Sequence, residues 1–494
     1  QQLEEYDRSI GIWRGTGKTI AAEKLTSEES WRDALSNLRI PRDVALDSPW
    51  LPAVVLGLQD GNARIGIEGV DETAEGNFIP AEDVKWARKR LDNGKLGGRA
   101  QVAGDLLEVG DVVLVRRMTT DSDGSFIRWT LRQIPEVQGG FVAMDVNTGR
   151  VISMQGGFSY QASVFNRATQ AKRQPGSSFK PFVYAAALDS GYTPATIVVD
   201  APIEIDTPQG MWRPRNSSNK FYGPTPLRTG IEQSRNLMTV RLAQEVGMDI
   251  IGDYAERFGV YDNLSPVLAN ALGSQETTLY QMVSAYAMFA NGGERVQPTL
   301  VDRVQDRYGR TVYKHDQRIC NDCQLPTLAP GLGPRIISNR ERVMDPITAY
   351  QLTSMMKGVV DRGTARGAVN LPVPIAGKTG TTNDAKDVWF IGFSSNIVAG
   401  CYIGFDNPRS LGKRAYGAGM CGPVFQRFMT EAIKKFGGGP FEVPPGGRFI
   451  KIDRFNGSRL SDSAAGPNVV AEYFRDGEEP LFGITFDGGF AMGA

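Results

Sequence analysis

Three short segments, far apart in the chain, constrain it more than any other feature: Ser177-Ser178-Phe179-Lys180, Ser234-Arg235-Asn236 and Lys378-Thr379-Gly380. Together they describe a serine acyl-transfer site in which a lysine takes the part that histidine plays in most serine hydrolases. Any fold of this chain must then bring three distant segments to one place. The chain has one histidine, His315, in the charged stretch Tyr313-Lys314-His315-Asp316. A Ser-His-Asp triad would have to use it, whereas a serine–lysine pair needs no histidine.

Singly, the segments say little. Ser-x-x-Lys also begins at Ser217, Ser354 and Ser410, and Ser-x-Asn also begins at Ser217 and Ser394. Context selects among them. Ser354 sits inside a helix-like run, Ser410 follows Lys378, and Ser217 lies in the polar loop Asn216–Lys220. Ser177 alone follows a Pro175-Gly176 stop and opens an apolar run from Phe179 to Leu188, which predicts a helix starting at the serine. Free N–H groups and the helix dipole there favour developing negative charge. Lys180, three residues on, shares its helix face.

The roles follow from the chemistry. Ser177 is the expected nucleophile and Lys180 the base, which requires its amine to be partly neutral. Burial and a second cation both lower a lysine pKa, and Lys378 is the candidate cation. Ser234 could relay a proton towards the leaving amine, and Asn236 could hold Lys180 and a substrate carbonyl. Thr379, Gly380 and Thr381 would receive substrate, Gly380 by letting its backbone approach and the threonines and Lys378 by meeting a carboxylate. The backbone N–H groups of Ser177 and Thr381 are the expected oxyanion hole.

The three-part signature is that of penicillin-binding proteins and class A β-lactamases. Arg173-Gln174-Pro175-Gly176-Ser177-Ser178-Phe179-Lys180-Pro181 and Gly380–Phe390, with Gly363-Thr364-Ala365, resemble the bifunctional class A penicillin-binding proteins, most nearly their 1a branch. The resemblance runs from about Gly139 to Gly437. It implies an α/β (α+β) penicillin-recognising serine transpeptidase fold, a five-stranded antiparallel sheet with helices on both faces. The strand signals Phe141–Asp145, Val151–Met154, Ile375–Gly377, Val388–Phe393 and Ile397–Phe405, and a final helix near Pro423–Phe436, suit it. The implied activity is cross-linking of peptidoglycan stem peptides through a Ser177 acyl-enzyme, with β-lactams as inhibitors. No cofactor and no metal is implied. The implied location is the periplasmic face of the bacterial inner membrane. Family members carry a membrane helix and a glycosyltransferase domain ahead of this region, and neither is recognisable here. The chain is therefore expected to be a truncated form, attached to the membrane only through that missing part.

The remaining segments are less specific. Residues 1–47 mix charges with helix formers and read as a linker. Residues 48–135 hold short apolar stretches between Gly and Asp turns, and the resemblance makes them an inserted OB-like β-barrel. Such barrels often bind nucleic acid. Here 55 basic and 55 acidic residues balance, and a solvated face explains Lys85, Arg88, Lys89 and Arg90 better. A protein partner is the expected occupant, and no nucleic acid. Residues 136–440 form the transpeptidase domain, and 441–494 a tail without a readable role. Cys320 and Cys323 read as a disulfide of an oxidising compartment rather than half a zinc site or a redox pair. Cys401 and Cys421 read as small core residues.

Three alternatives stand beside the transpeptidase. A class A β-lactamase would carry a Glu-x-x-Leu-Asn segment between the second and third motifs, and none lies between Asn236 and Lys378. A non-enzymatic penicillin-recognition sensor or scaffold would keep the fold without amine transfer. A nucleic-acid binder would show a steep salt dependence.

Overall fold

The computed structural model describes residues 1–480 apart from 45–47, 73–75, 92, 209 and 329–333. The chain divides into two compact units, Gln1–Gly139 with Gly156–Asn166, and Gly140–Gln155 with Arg167–Ala494.

The first unit is built on a curled sheet. Its strand order is Lys18–Thr19, Asp111–Thr119, Trp50–Gln59, Asn62–Ile67, Asn77–Ile79, with Phe126–Arg132 also paired to Asp111–Thr119. The Trp129 indole donates to Asn77 Oδ1 at 3.2 Å, tying the last strand back towards the Asn77–Ile79 strand. Alternate residues of these strands (Val55, Ile65, Val113, Val115, Leu131) fill one core. Residues 1–47 are not a separate linker, which corrects the sequence expectation. Helix Glu28–Ser36, capped by the Ser27 hydroxyl, packs Trp31 and Leu35 against Trp50, Val54 and Leu114. Gly66 has no side chain because a Cβ there would lie 2.7 Å from the Trp31 ring.

The second unit holds a five-stranded sheet in the order Val151–Gln155, Gln138–Asp145, Ile397–Gly404, Asp387–Phe393, Ala376–Thr381. All five expected strands are present. Ala376–Thr381 is an edge strand, running antiparallel to Asp387–Phe393. Helices cover both faces, and strand alternation says which residue meets which helix. Phe390 packs its ring on Phe425 of helix Gly422–Phe436. On the opposite face Gly400 lets helix Leu279–Ala290 come close, since a Cβ there would meet Val283 at 2.5 Å. Helix Lys180–Asp189 lies in the core with every residue but Asp189 buried. Its Phe182 joins a ring cluster with Phe258, Tyr286 and Phe289.

The C-terminal stretch from 441 also departs from expectation. Strands Gly447–Asp453 and Val469–Arg475 form a hairpin, and Glu472 from it is fully buried against Arg228, accepting its guanidinium at 2.6 Å. Arg228 also meets Glu232 at 3.2 Å and the Ser354 hydroxyl at 2.8 Å. This hairpin is part of the domain; residues 481–494 of the expected tail lie outside the described residues. Removing one partner of a buried ion pair leaves an uncompensated charge, a loss of about 3–5 kcal/mol. Glu472→Ala should therefore lower the unfolding free energy of the second unit by that order, read as a lower urea midpoint at unchanged m. An unchanged midpoint would make the hairpin an appendage.

Candidate active site

The nucleophile segment is shaped by its glycine. Gly176 has φ +54°, in the left-handed region, and a Cβ there would stand 3.0 Å from Thr381 O. The next residues make one 3-10 turn, Gly176–Phe179, before the α-helix begins at Lys180. Side chains three apart eclipse in such a turn, so Ser177 and Lys180 share a face. Ser178 is fully buried and donates to Pro175 O at 2.6 Å, while the half-buried Ser177 lines a cleft of about 530 Å³. The position of each hydroxyl selects Ser177. Behind the turn, the Tyr286 hydroxyl donates to Ser178 O at 2.5 Å. Arg173 Nε donates to Asp387 at 3.0 Å, fastening the nucleophile segment to the strand beside the third motif.

Lys180 and Lys378 are both fully buried. Lys180 Nζ donates to Ser234 O at 2.7 Å and Asn236 Oδ1 at 2.6 Å, with Ser234 Oγ at 3.3 Å. Lys378 Nζ lies 2.8 Å from Ser234 Oγ and donates to Thr379 O at 3.0 Å. The Ser234 hydroxyl thus stands between the two amines. Its backbone holds φ +55°, a region costly for a residue with a side chain. The Ser234 N–H bond to Ile231 O and the Arg235 N–H bond to Gly230 O fix it there.

Burial is the main reason that the Lys180 pKa lies well below the usual lysine range. Lys378 and Arg235 depress it further, against the opposing pull of Asp200. A neutral amine donates two hydrogen bonds and keeps one lone pair. The two short bonds to Ser234 O and Asn236 Oδ1 use both donors, leaving the lone pair for the Ser177 proton. Among the described residues no hydrogen bond yet joins Ser177 Oγ to Lys180; such contacts often tighten only when substrate binds. Burial also pushes the Lys378 pKa down to about 7.

The third motif lies on the sheet edge. Thr382 N–H donates to Asp387 O across the ladder, so by antiparallel alternation the N–H of Thr381 faces the free edge. That is the orientation an oxyanion-hole donor needs. Thr379 Oγ1 pairs with Thr364 Oγ1 at 2.7 Å, and Thr381 Oγ1 accepts from Gly417 N–H at 3.3 Å. Gly380 differs from expectation: a Cβ there would meet Pro175 O at 2.5 Å and Ser178 Oγ at 3.0 Å. Its lack of a side chain makes room for the nucleophile turn rather than for substrate backbone.

Several residues that line the cleft or support its motifs belong to no motif themselves. Asp200, its carboxyl pKa raised by burial, accepts from Asn216 Nδ2 at 2.7 and 3.0 Å. Asn216 Oδ1 in turn accepts from Asn236 N–H at 2.8 Å, which sets the start of helix Asn236–Val246. Asn236 Nδ2 donates to Arg215 O at 2.7 Å, leaving its other hydrogen free for a carbonyl. Arg215, Gln233 and Tyr416 also line the cleft. Gln233 adjoins the second motif, whereas Arg215 and Tyr416 carry no sequence signal. Ser217, rejected as a nucleophile, lines the cleft from its loop. His315 bonds Gln297 O and Tyr313 on a hairpin and is absent from the cleft.

A half-buried serine at a turn, two buried lysines sharing one hydroxyl, and an edge strand beside them form a candidate serine acyl-transfer site. Residues 139–430 match the penicillin binding protein transpeptidase domain, and residues 13–137 the penicillin-binding protein OB-like domain. The chain belongs to the penicillin-binding protein transpeptidase family. It is 42% identical over 92% of its length to penicillin-binding protein 1A of Rickettsia bellii, and 35% identical over 87% to that of Pseudomonas aeruginosa. It spans about half the length of these curated relatives, 54% and 55%. The crystal structure of penicillin-binding protein 1A from Haemophilus influenzae is similar over 97% of this chain and 70% of its own, with TM-score 0.79 and 29% identity. The PonA1 protein from Mycobacterium tuberculosis, in complex with penicillin V, shares the fold over 63% of this chain and 81% of its own, with TM-score 0.53 and 23% identity.

The lysine pair makes a pH prediction. With Lys180 as the expected base and Lys378 as the expected cation, acylation would need the first neutral and the second charged. Penicillin acylation, followed as a second-order rate constant, should fall as pH rises through about 7, where Lys378 gives up its proton. It should also fall at lower pH, as Lys180 becomes protonated. Between about 7 and the ordinary 10.5 the unfolded chain holds a proton that folded Lys378 has lost, so this group adds stability as pH rises through that window. A rate climbing steadily to pH 10 would contradict the assignment of Lys378.

Proposed function

We propose that this chain is a D,D-transpeptidase that cross-links peptidoglycan stem peptides and is acylated by β-lactams. The observation that carries the reading is the Lys180–Ser234–Lys378 arrangement beside Ser177. Ser177 Oγ attacks the carbonyl carbon of the penultimate D-alanine, and its proton passes to Lys180. The oxyanion is received by the N–H groups of Ser177 and Thr381. Ser234, 3.3 Å from one lysine and 2.8 Å from the other, hands a proton to the departing nitrogen as the C–N bond breaks and D-alanine leaves. An amine from a neighbouring stem then attacks the ester carbonyl. Its proton returns through the same groups, and Ser177 is released. Lys378, Thr379 and Thr381 hold the terminal carboxylate, and Asn236 a backbone carbonyl.

A β-lactamase needs a carboxylate placed to activate water. Among the described residues the one carboxylate lining the cleft is Asp384, and it is exposed. That favours a long-lived acyl-enzyme. The working place of the site is the periplasmic face of the inner membrane. The OB-like unit offers a docking surface for a protein partner rather than for nucleic acid.

Intact-mass analysis after incubation with a penicillin tests the reading. The expected result is one persistent adduct on the parent chain and none on Ser177→Ala. Rapid drug hydrolysis without an adduct would make it a β-lactamase, and neither adduct nor turnover would overturn the mechanism. Ser234→Ala should slow acylation by roughly 10²–10⁴-fold, the usual worth of a positioned proton-transfer group. A rate within a few-fold of the parent would remove Ser234 from the relay.

A further inference from the structure

Two thiols outside the catalytic cluster stand closer than packing requires. Cys401 Sγ and Cys421 Sγ are 2.8 Å apart, both buried. That is roughly 0.8 Å beyond a disulfide bond of about 2.05 Å. Cys401 lies opposite Phe390 in strand Ile397–Gly404, so it faces the same helix, Gly422–Phe436, that packs Phe425 on Phe390. Cys421 is the junction between the short helix Gly417–Met420 and that longer helix. Cys421 Sγ also donates to Val388 O at 3.5 Å. Among the described residues no group of three or more His, Cys, Asp or Glu could hold a metal ion, so the pair is not part of a metal site. The chain already carries one disulfide, Cys320–Cys323, and disulfides persist where the compartment is oxidising.

We infer that Cys401 and Cys421 close a second disulfide in the mature protein, bonding the central sheet to the wall of the catalytic cleft. One cysteine, as thiolate, attacks the disulfide of an external oxidant, a dithiol oxidase in its oxidised form or oxidised glutathione. The second thiolate then displaces the oxidant's sulfur from the mixed disulfide. The oxidant's S–S bond breaks as the Cys401–Cys421 bond forms, and the two electrons and two protons of the protein thiols end on the oxidant, which departs as a pair of thiols. Both cysteines are buried, so the exchange occurs before helix Gly422–Phe436 docks. The consequence reaches the cleft by a short path. Tyr416, Gly417 and Ala418 line it, Gly417 N–H donates to Thr381 Oγ1, and Cys421 ends this segment. The bond would hold that wall against the strand that presents Thr381.

The test is peptide mapping of the whole chain, exported to an oxidising compartment and denatured in the presence of iodoacetamide without reductant. The expected result is a Cys401–Cys421 cross-linked peptide, a Cys320–Cys323 bond and no alkylated cysteine. Native protein treated with mild dithiothreitol should become labelled at Cys320 and Cys323, which are half-buried and exposed, before Cys401 or Cys421. Alkylation of Cys401 and Cys421 on denaturation alone would overturn the proposal, as would cross-links from either to Cys320 or Cys323. The map is independent of Ser177 chemistry, so a chain that takes up no penicillin still gives a decisive answer.

Discussion

Everything at the catalytic end of this protein depends on burying two lysines side by side without an acid to pair them. Neither Lys180 nor Lys378 forms an ion pair with a carboxylate among the described residues, and both are fully buried. Burying an isolated ammonium is costly, and a protein commonly meets the cost by letting the group lose its proton. In the proposed mechanism that loss supplies the base. Burial and the charge of Lys378 lower the Lys180 pKa, while hydrogen bonds to Ser234 O, Asn236 Oδ1 and Thr379 O satisfy the donors of the two amines.

Such a cluster survives only in a frame that resists relaxation. Arg173 and Asp387 fasten the nucleophile segment to the sheet, Gly176 and Gly380 allow backbone to pass backbone, and the Asp200–Asn216 pair fixes the helix that starts at Asn236. The buried Arg228–Glu232–Glu472 cluster does the same for the segment leading to Ser234. Glu232 O also accepts from Thr364 N–H, and Thr364 meets Thr379. The C-terminal hairpin is thereby connected, through two buried carboxylates, to both later motifs.

Much of this was legible from sequence where a local pattern has one structural solution. Pro175-Gly176 followed by an apolar run announced the nucleophile helix, and strand-length apolar runs announced the five strands. The choice of Ser177 over Ser217, Ser354 and Ser410 came from local context and the order of motifs. What was not legible depends on partners far away in the chain. Glu472 reads as one acid in a strand until Arg228 is known to face it. Asn216 reads as a loop residue until its link between Asp200 and Asn236 is seen. Residues 1–47 look like a linker because their apolar residues are sparse, yet Trp31 and Leu35 find their core only against Trp50 and Leu114. Gly380 shows the same limit: sequence says that a glycine is required and cannot say which neighbour requires it.

The central claim is that Lys180 is neutral in the resting site while it remains hydrogen-bonded to Ser234 and Asn236. It is tested most directly by carbon-13 NMR of the lysine Cε positions, assigned through Lys180→Arg and Lys378→Arg and followed with pH. The account predicts that the Lys180 resonance reaches the neutral-amine position well below the pH at which an ordinary lysine loses its proton, with a separate transition for Lys378 near 7. A Lys180 resonance that stays at the ammonium position up to pH 10 would contradict it.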